Sequence, residues 1–152
     1  MNTGPNFTVP CVDLSEALAE KLITFPRRLA LSMAKTDEKI DTALVRHLYD
    51  VYQITEKNPS ILAKDLDKLS ILVNQVIAKD AGDFANQHSA FVTDPLGEIN
   101  KAMQHAKANQ KTKDAYDEFI RVMVYDKNAP SFEDAFSRFH KIVKLALPNL
   151  PN

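Results

Sequence analysis

Two short segments concentrate the side chains that could do chemistry: Ala19-Glu20-Lys21-Leu22 followed by Arg27 and Arg28, and Arg46-His47-Leu48-Tyr49-Asp50-Val51-Tyr52. Spacing alone does not specify their reaction. Arg46 and Asp50 stand four apart, which on a helix makes a surface ion pair contributing about 0.3–0.5 kcal/mol. Tyr49 and Tyr52 read as helix-packing residues. A different chemistry is offered by the aspartate-x-aspartate at Asp65 and Asp67. Carboxylates two apart share a face on a strand and can share a metal there. On a helix they diverge by about 200°. Asp65-Leu66-Asp67 falls inside a helical pattern with Leu66 toward the core, which excludes the pair as a metal site. His47, His88, His105 and His140 show no paired metal-ligand spacing. Cys11 is the only cysteine, so an internal disulfide and a cysteine-based zinc site are excluded. No motif joins Cys11 to a histidine, and it reads as a small buried apolar residue. Between Ile99 and Lys113, Lys101, Lys107, Lys111 and Lys113 accompany His105 without an acidic residue. That charge suits RNA or an acidic partner. The stretch lacks aromatics for base stacking, and a solvated helix face is the simpler account.

The elements that must position these residues are mostly helical. Asp13 with Glu16 forms a capping box for a first helix, with Leu14, Leu18 and Leu22 along one face. Pro26 should end or kink it, with helix resuming over Leu29 to Met33. Lys35 to Asp41 reads as a loop. Leu44, Val45, Leu48, Val51 and Tyr52 then predict a second helix over Thr42 to Lys57. A third carries Leu62, Leu66, Leu69, Val73 and Val76 and stops near Gly82. Asp94-Pro95 opens a fourth that runs to about Gln110. A fifth holds Tyr116, Phe119, Ile120 and Met123, and Ser131 with Asp134 caps a sixth bearing Phe132, Phe136, Phe139 and Val143. At the front, Phe7, Val9 and Cys11 alternate as in a short strand, which Pro10 confines to an edge. A lone strand leaves its backbone groups unpaired, so this one pairs outside the chain or is not a strand. The expected fold is therefore mainly α, about six helices in a bundle-like domain with one short N-terminal β-strand.

Bulk properties narrow the classes. A chain of 152 residues fits one domain, 1–152. With 45% hydrophobic and 26% charged residues it folds rather than remaining disordered. A net charge of −1 is not that of a nucleic-acid polycation. Gly4, Gly82 and Gly97 are the whole glycine supply, too few and too scattered for a phosphate-cradling glycine loop. No apolar run approaches the roughly 18 residues of a membrane span, and Met1 to Pro10 lacks a signal pattern. A cytoplasmic protein without membrane partners is expected.

Taken in order, Leu18-Ala19-Glu20-Lys21-Leu22 with the following arginines, and Arg46-His47-Leu48-Tyr49-Asp50-Val51-Tyr52, resemble two signature segments of the AbiEii/AbiGii nucleotidyltransferase toxin family. Tyr116 to Tyr125 and then Pro130-Ser131-Phe132-Glu133 resemble its closing pair of helices. The resemblance spans about Val9 to Leu147 and matches the C-terminal, helical half of such a toxin. His47 departs from the pattern, since the family often has aspartate there.

What the resemblance implies is a part in nucleotidyl transfer within a toxin-antitoxin or abortive-infection system. Lys21 would hold nucleotide phosphates, Arg27, Arg28 and Arg46 would add positive charge, and Asp50 would be the catalytic carboxylate. Such transfer is mostly positioning and charge neutralisation by metal ions and cations around the triphosphate. The family's N-terminal half brings a glycine-serine loop and an aspartate-x-aspartate metal pair, and neither is found here. No metal-binding residue and no cofactor is therefore expected in this chain. Mg2+ and a nucleoside triphosphate would belong to the complete enzyme, and the chain alone would be inactive. Expected partners are a nucleoside triphosphate, an antitoxin or the missing N-terminal half, with RNA less supported. The competing expectation is a non-catalytic helical protein-binding or regulatory module.

Overall fold

The computed structural model describes residues 13–35 and 40–151, and the expected strand over Phe7 to Val12 lies outside them. Among the described residues there are eight helices and no strand: α1 (Leu14–Ala34), α2 (Thr42–Lys57), α3 (Ser60–Lys64), α4 (Leu66–Asp83), α5 (Ser89–Thr93), α6 (Pro95–Ala108), α7 (Gln110–Met123) and α8 (Phe132–Ala146).

The centre of the fold is α1. Leu18, Ala19, Leu22, Ile23, Phe25, Pro26, Leu29 and Ala30 are all buried along it. At 100° per residue that set covers an arc of about 160°, a broad apolar stripe that more than one neighbour must cover. Accordingly α1 packs against α2, α4, α6 and α8. That cover also explains why the helix does not end at Pro26, the first of the two outcomes expected there, but continues to Ala34. Proline removes one backbone donor and costs about 3 kcal/mol in an exposed helix. Packing on several sides holds the helical path regardless, and Pro26 is itself buried there.

The other helices follow their sequence signals closely. Asp13 caps α1 by accepting from the Ser15 amide, and Asp41 caps α2 by accepting from the Ala43 amide. Asp94 receives the Gly97 amide at 3.0 Å with Pro95 in the first position of α6. A Cβ on Gly97 would stand only 2.0 Å from Asp94 Oδ2, so glycine leaves room for this cap. Ser131 Oγ accepts from the Asp134 amide to open α8. Helix α8 lays Phe139 against Phe25 at 5.3 Å in an edge-to-face contact, while Phe132 meets Tyr116 of α7 at 5.9 Å. The Tyr116 hydroxyl donates to the Pro130 carbonyl. Burial pushes that phenol's pKa up.

Two differences from the sequence expectation concern boundaries. The third predicted helix is two, α3 and α4, which meet at Asp65. Asp65 is thus a junction residue rather than an interior helical one, and Leu66, the first residue of α4, packs on the core. The five-residue α5 was not anticipated, because its single buried anchor, Phe91, makes no periodic pattern.

Truncating the α1 core should be costly. Phe25→Ala is expected to lower unfolding free energy by about 3–5 kcal/mol. Ile71→Ala, at a 60% exposed position, should change it by less than about 0.5 kcal/mol. Urea denaturation followed by far-UV circular dichroism distinguishes the two.

Candidate functional site

Lys21 lies on the second turn of α1 and Asp50 on the third turn of α2. The two helices run antiparallel, since Lys21 meets Asp50 while Arg28, further along α1, meets Asp41, earlier on α2. Lys21 Nζ donates to Asp50 Oδ2 at 3.1 Å, and Arg46 Nε approaches the same oxygen at 3.4 Å. Asp50 and Lys21 are about three-quarters enclosed, whereas 60% of the Arg46 side chain is open to solvent. Arg28 pairs loosely with Asp41 at 3.7 Å. Two cations therefore converge on one carboxylate oxygen at the α1–α2 seam.

His47 registers that charge. It sits one residue after Arg46, and its pKa is pushed down from 6.5 to about 4, first by burial and then by Lys21, with Arg28 and Arg46 adding to the effect against Asp50. All three cations therefore act on one imidazole. Its Nδ1 is buried without a hydrogen-bond partner. Beside it lies a cavity of about 200 Å³ lined by Glu16, Glu20, Lys21, Thr24 and His47. In the sequence Glu16 reads as a capping residue and Glu20 carries no role beside Lys21, although Glu16, Glu20 and Thr24 recur every four residues and so share a face of α1.

Arg27 does not join this cluster. Its Nε donates to Asp80 of α4 at 3.0 Å, and its guanidinium lies 4.0 Å over the Phe84 ring. Both side chains are about nine-tenths buried. The spacing separates the two arginines: Arg28 is seven residues from Lys21, which returns to within about 20° of the same helical face, while Arg27 is six away and about 120° off it.

The remaining sequence candidates are dispersed. Asp65 and Asp67 are exposed at the start of α4. Among the described residues, no group of three or more His, Cys, Asp or Glu side chains could hold a metal ion. His88 meets Glu98 at 3.0 Å inside the α5–α6 corner. Burial would raise the Glu98 carboxyl, but His88 and Lys101 together hold it below its ordinary value. His140 packs near Phe136, and burial lowers its pKa. His105 bonds Asn109 at 2.8 Å. The basic run from Ile99 to Lys113 is divided between α6 and α7. Lys101 is neutralised by Glu98 at 3.1 Å and Lys113 by Glu133 at 3.3 Å, so acids from outside the run offset much of its charge. Tyr49 packs edge-on to Phe119 and Tyr52 lies under Arg138.

The fold and the α1–α2 seam define an all-helical body with a cation-rich face, and comparison with known proteins gives it a lineage. The model of the family described as nucleotidyl transferase AbiEii toxin, Type IV TA system, matches residues 1–138. The chain belongs to this family. No curated protein and no solved structure matches it. No described helix is long and apolar enough to cross a membrane.

Two measurements probe this geometry. Arg27→Ala should destabilise by about 3–5 kcal/mol, because Asp80 is left buried and unpaired. His47 carries a pH signature: the unfolded chain takes up its proton near 6.5 and the folded chain near 4. Between those values the unfolded state binds more protons, so stability is complete above 6.5 and falls as pH drops toward 4. His47→Leu should remove that part of the slope in urea midpoints. Equal slopes for both proteins would contradict the burial of a neutral imidazole.

Proposed function

We propose that the Lys21–Asp50–Arg46 cluster, with Arg28 beside it, is the triphosphate-facing wall of a nucleotidyl-transfer site, and that Arg27 serves the core instead. The supporting observation is the convergence of Lys21 and Arg46 on Asp50 from two different helices. In this reading Lys21 acts as a mobile point charge and Arg46 as a forked donor toward phosphate oxygens. Asp50 holds both cations in place until phosphates compete for them and is the catalytic carboxylate of the complete site. The described residues do not fit the Mg2+ expected for the family's chemistry, since Asp50 already faces two cations and no second carboxylate joins it. In this reading the metal donors come from outside the described residues. An antitoxin partner accords with the family's type IV description.

Isothermal titration of the chain with inorganic tripolyphosphate tests this proposal. Lys21→Ala and Arg46→Ala should each weaken binding by about ten- to a hundredfold, as loss of one charge-assisted contact implies. Absence of binding by the parent chain would instead favour a helical protein-binding module that keeps the fold alone.

A further inference from the structure

Arg46 has a second neighbour. It walls a hollow of about 390 Å³ between α2 and the end of α7, shared with Tyr49, Phe119, Met123, Tyr125 and Asp126. Pockets for small ligands fall in this size range. Tyr49 and Phe119 form its base, edge-to-face at 5.8 Å. Its lip is open: Tyr125 is 95% exposed and Met123 60%. Together with Val122, 48% exposed, they place three large apolar side chains in water within four residues.

The hollow is polarised. Its walls include Arg46, which pairs with Asp50, and Asp126, whose carboxylate accepts from the Asn128 amide. A phosphate is drawn to Arg46 and repelled by Asp126. An aromatic, uncharged group suits the remaining, mostly apolar lining. We propose that this hollow is the nucleobase subsite of the nucleotide held by Lys21 and Arg46, with the base stacked on Tyr125 and against Met123. This rests on the triphosphate reading above and adds where the rest of the nucleotide lies. Every base has a π face, so such a platform binds bases without strong preference among them.

The experiment compares nucleoside triphosphates with inorganic tripolyphosphate on the full chain and on Tyr125→Ala. That substitution removes a side chain almost wholly in solvent, so folding is not at stake. The triphosphates should bind about five- to a hundredfold tighter than tripolyphosphate, as one stacked base implies. Tyr125→Ala should abolish that advantage and leave tripolyphosphate binding unchanged. Equal affinity of the two ligand types, or an advantage that survives Tyr125→Ala, overturns the base subsite while leaving the phosphate wall standing. Failure of both ligands to bind overturns the phosphate wall as well. Sedimentation of both proteins completes the test: self-association lost in Tyr125→Ala would assign the exposed patch to a second copy and overturn the proposal.

Discussion

Enclosure of α1 is the constraint from which the rest of the arrangement follows. A helix with an apolar arc of about 160° gains stability only where neighbours cover it, and four helices do so here. Its polar side chains fall outside that arc, and those at the edges of the arc emerge at seams with neighbours. Lys21 and Arg28, two turns apart, emerge at the seam with α2. Arg27 is carried round to α4, where a charge can be buried only because Asp80 and the Phe84 face receive it. The position of the cation cluster is thus a by-product of how α1 is packed.

The same argument shows how far the sequence could be read. Helices α2 and α8 were legible because each combines a cap, an apolar period and a clear stop, whereas α6 shows its cap but no stop signal, and Gln110, expected at its end, opens α7. The break at Asp65 was not, since Leu62 and Leu66 keep a helical period straight across it. Pro26 left two outcomes open, an end or a kink, and burial on the core excludes the end. The pairing of Lys21 with Asp50 was suggested by family resemblance, because residues 29 apart carry no periodic relation. The two arginines were separable in principle, by their seven- and six-residue offsets from Lys21. The hollow beside Arg46 was not legible, because it joins α2 to the end of α7 and Tyr49 looks like any packing tyrosine.

Electrostatics give the cluster its character. Exposed ion pairs contribute little, and the helical pair Arg46–Asp50 taken alone would mean nothing. Two features set this one apart. The carboxylate is largely enclosed and receives cations from two helices, and an imidazole one residue from Arg46 is kept neutral by burial and by the same cations. Burial is the first cause of that histidine's lowered pKa, and the cations around it add to the effect.

A cluster of this kind and a two-metal centre make opposite demands on the backbone. Metal-binding carboxylates must converge on a cation a few ångströms away, which neighbouring strand positions achieve and an isolated helix does not. Phosphate-facing cations need to be spread along an extended, highly charged ligand, and adjacent antiparallel helices do this well, with axes about 8–10 Å apart. The described residues supply the second arrangement and lack the first. On the reading proposed above, such a wall would orient the phosphates and leave metal activation to donors outside the described residues. The α1–α2 interface fixes the backbone that carries Lys21 and Arg46, while their long side chains are free to turn toward a ligand.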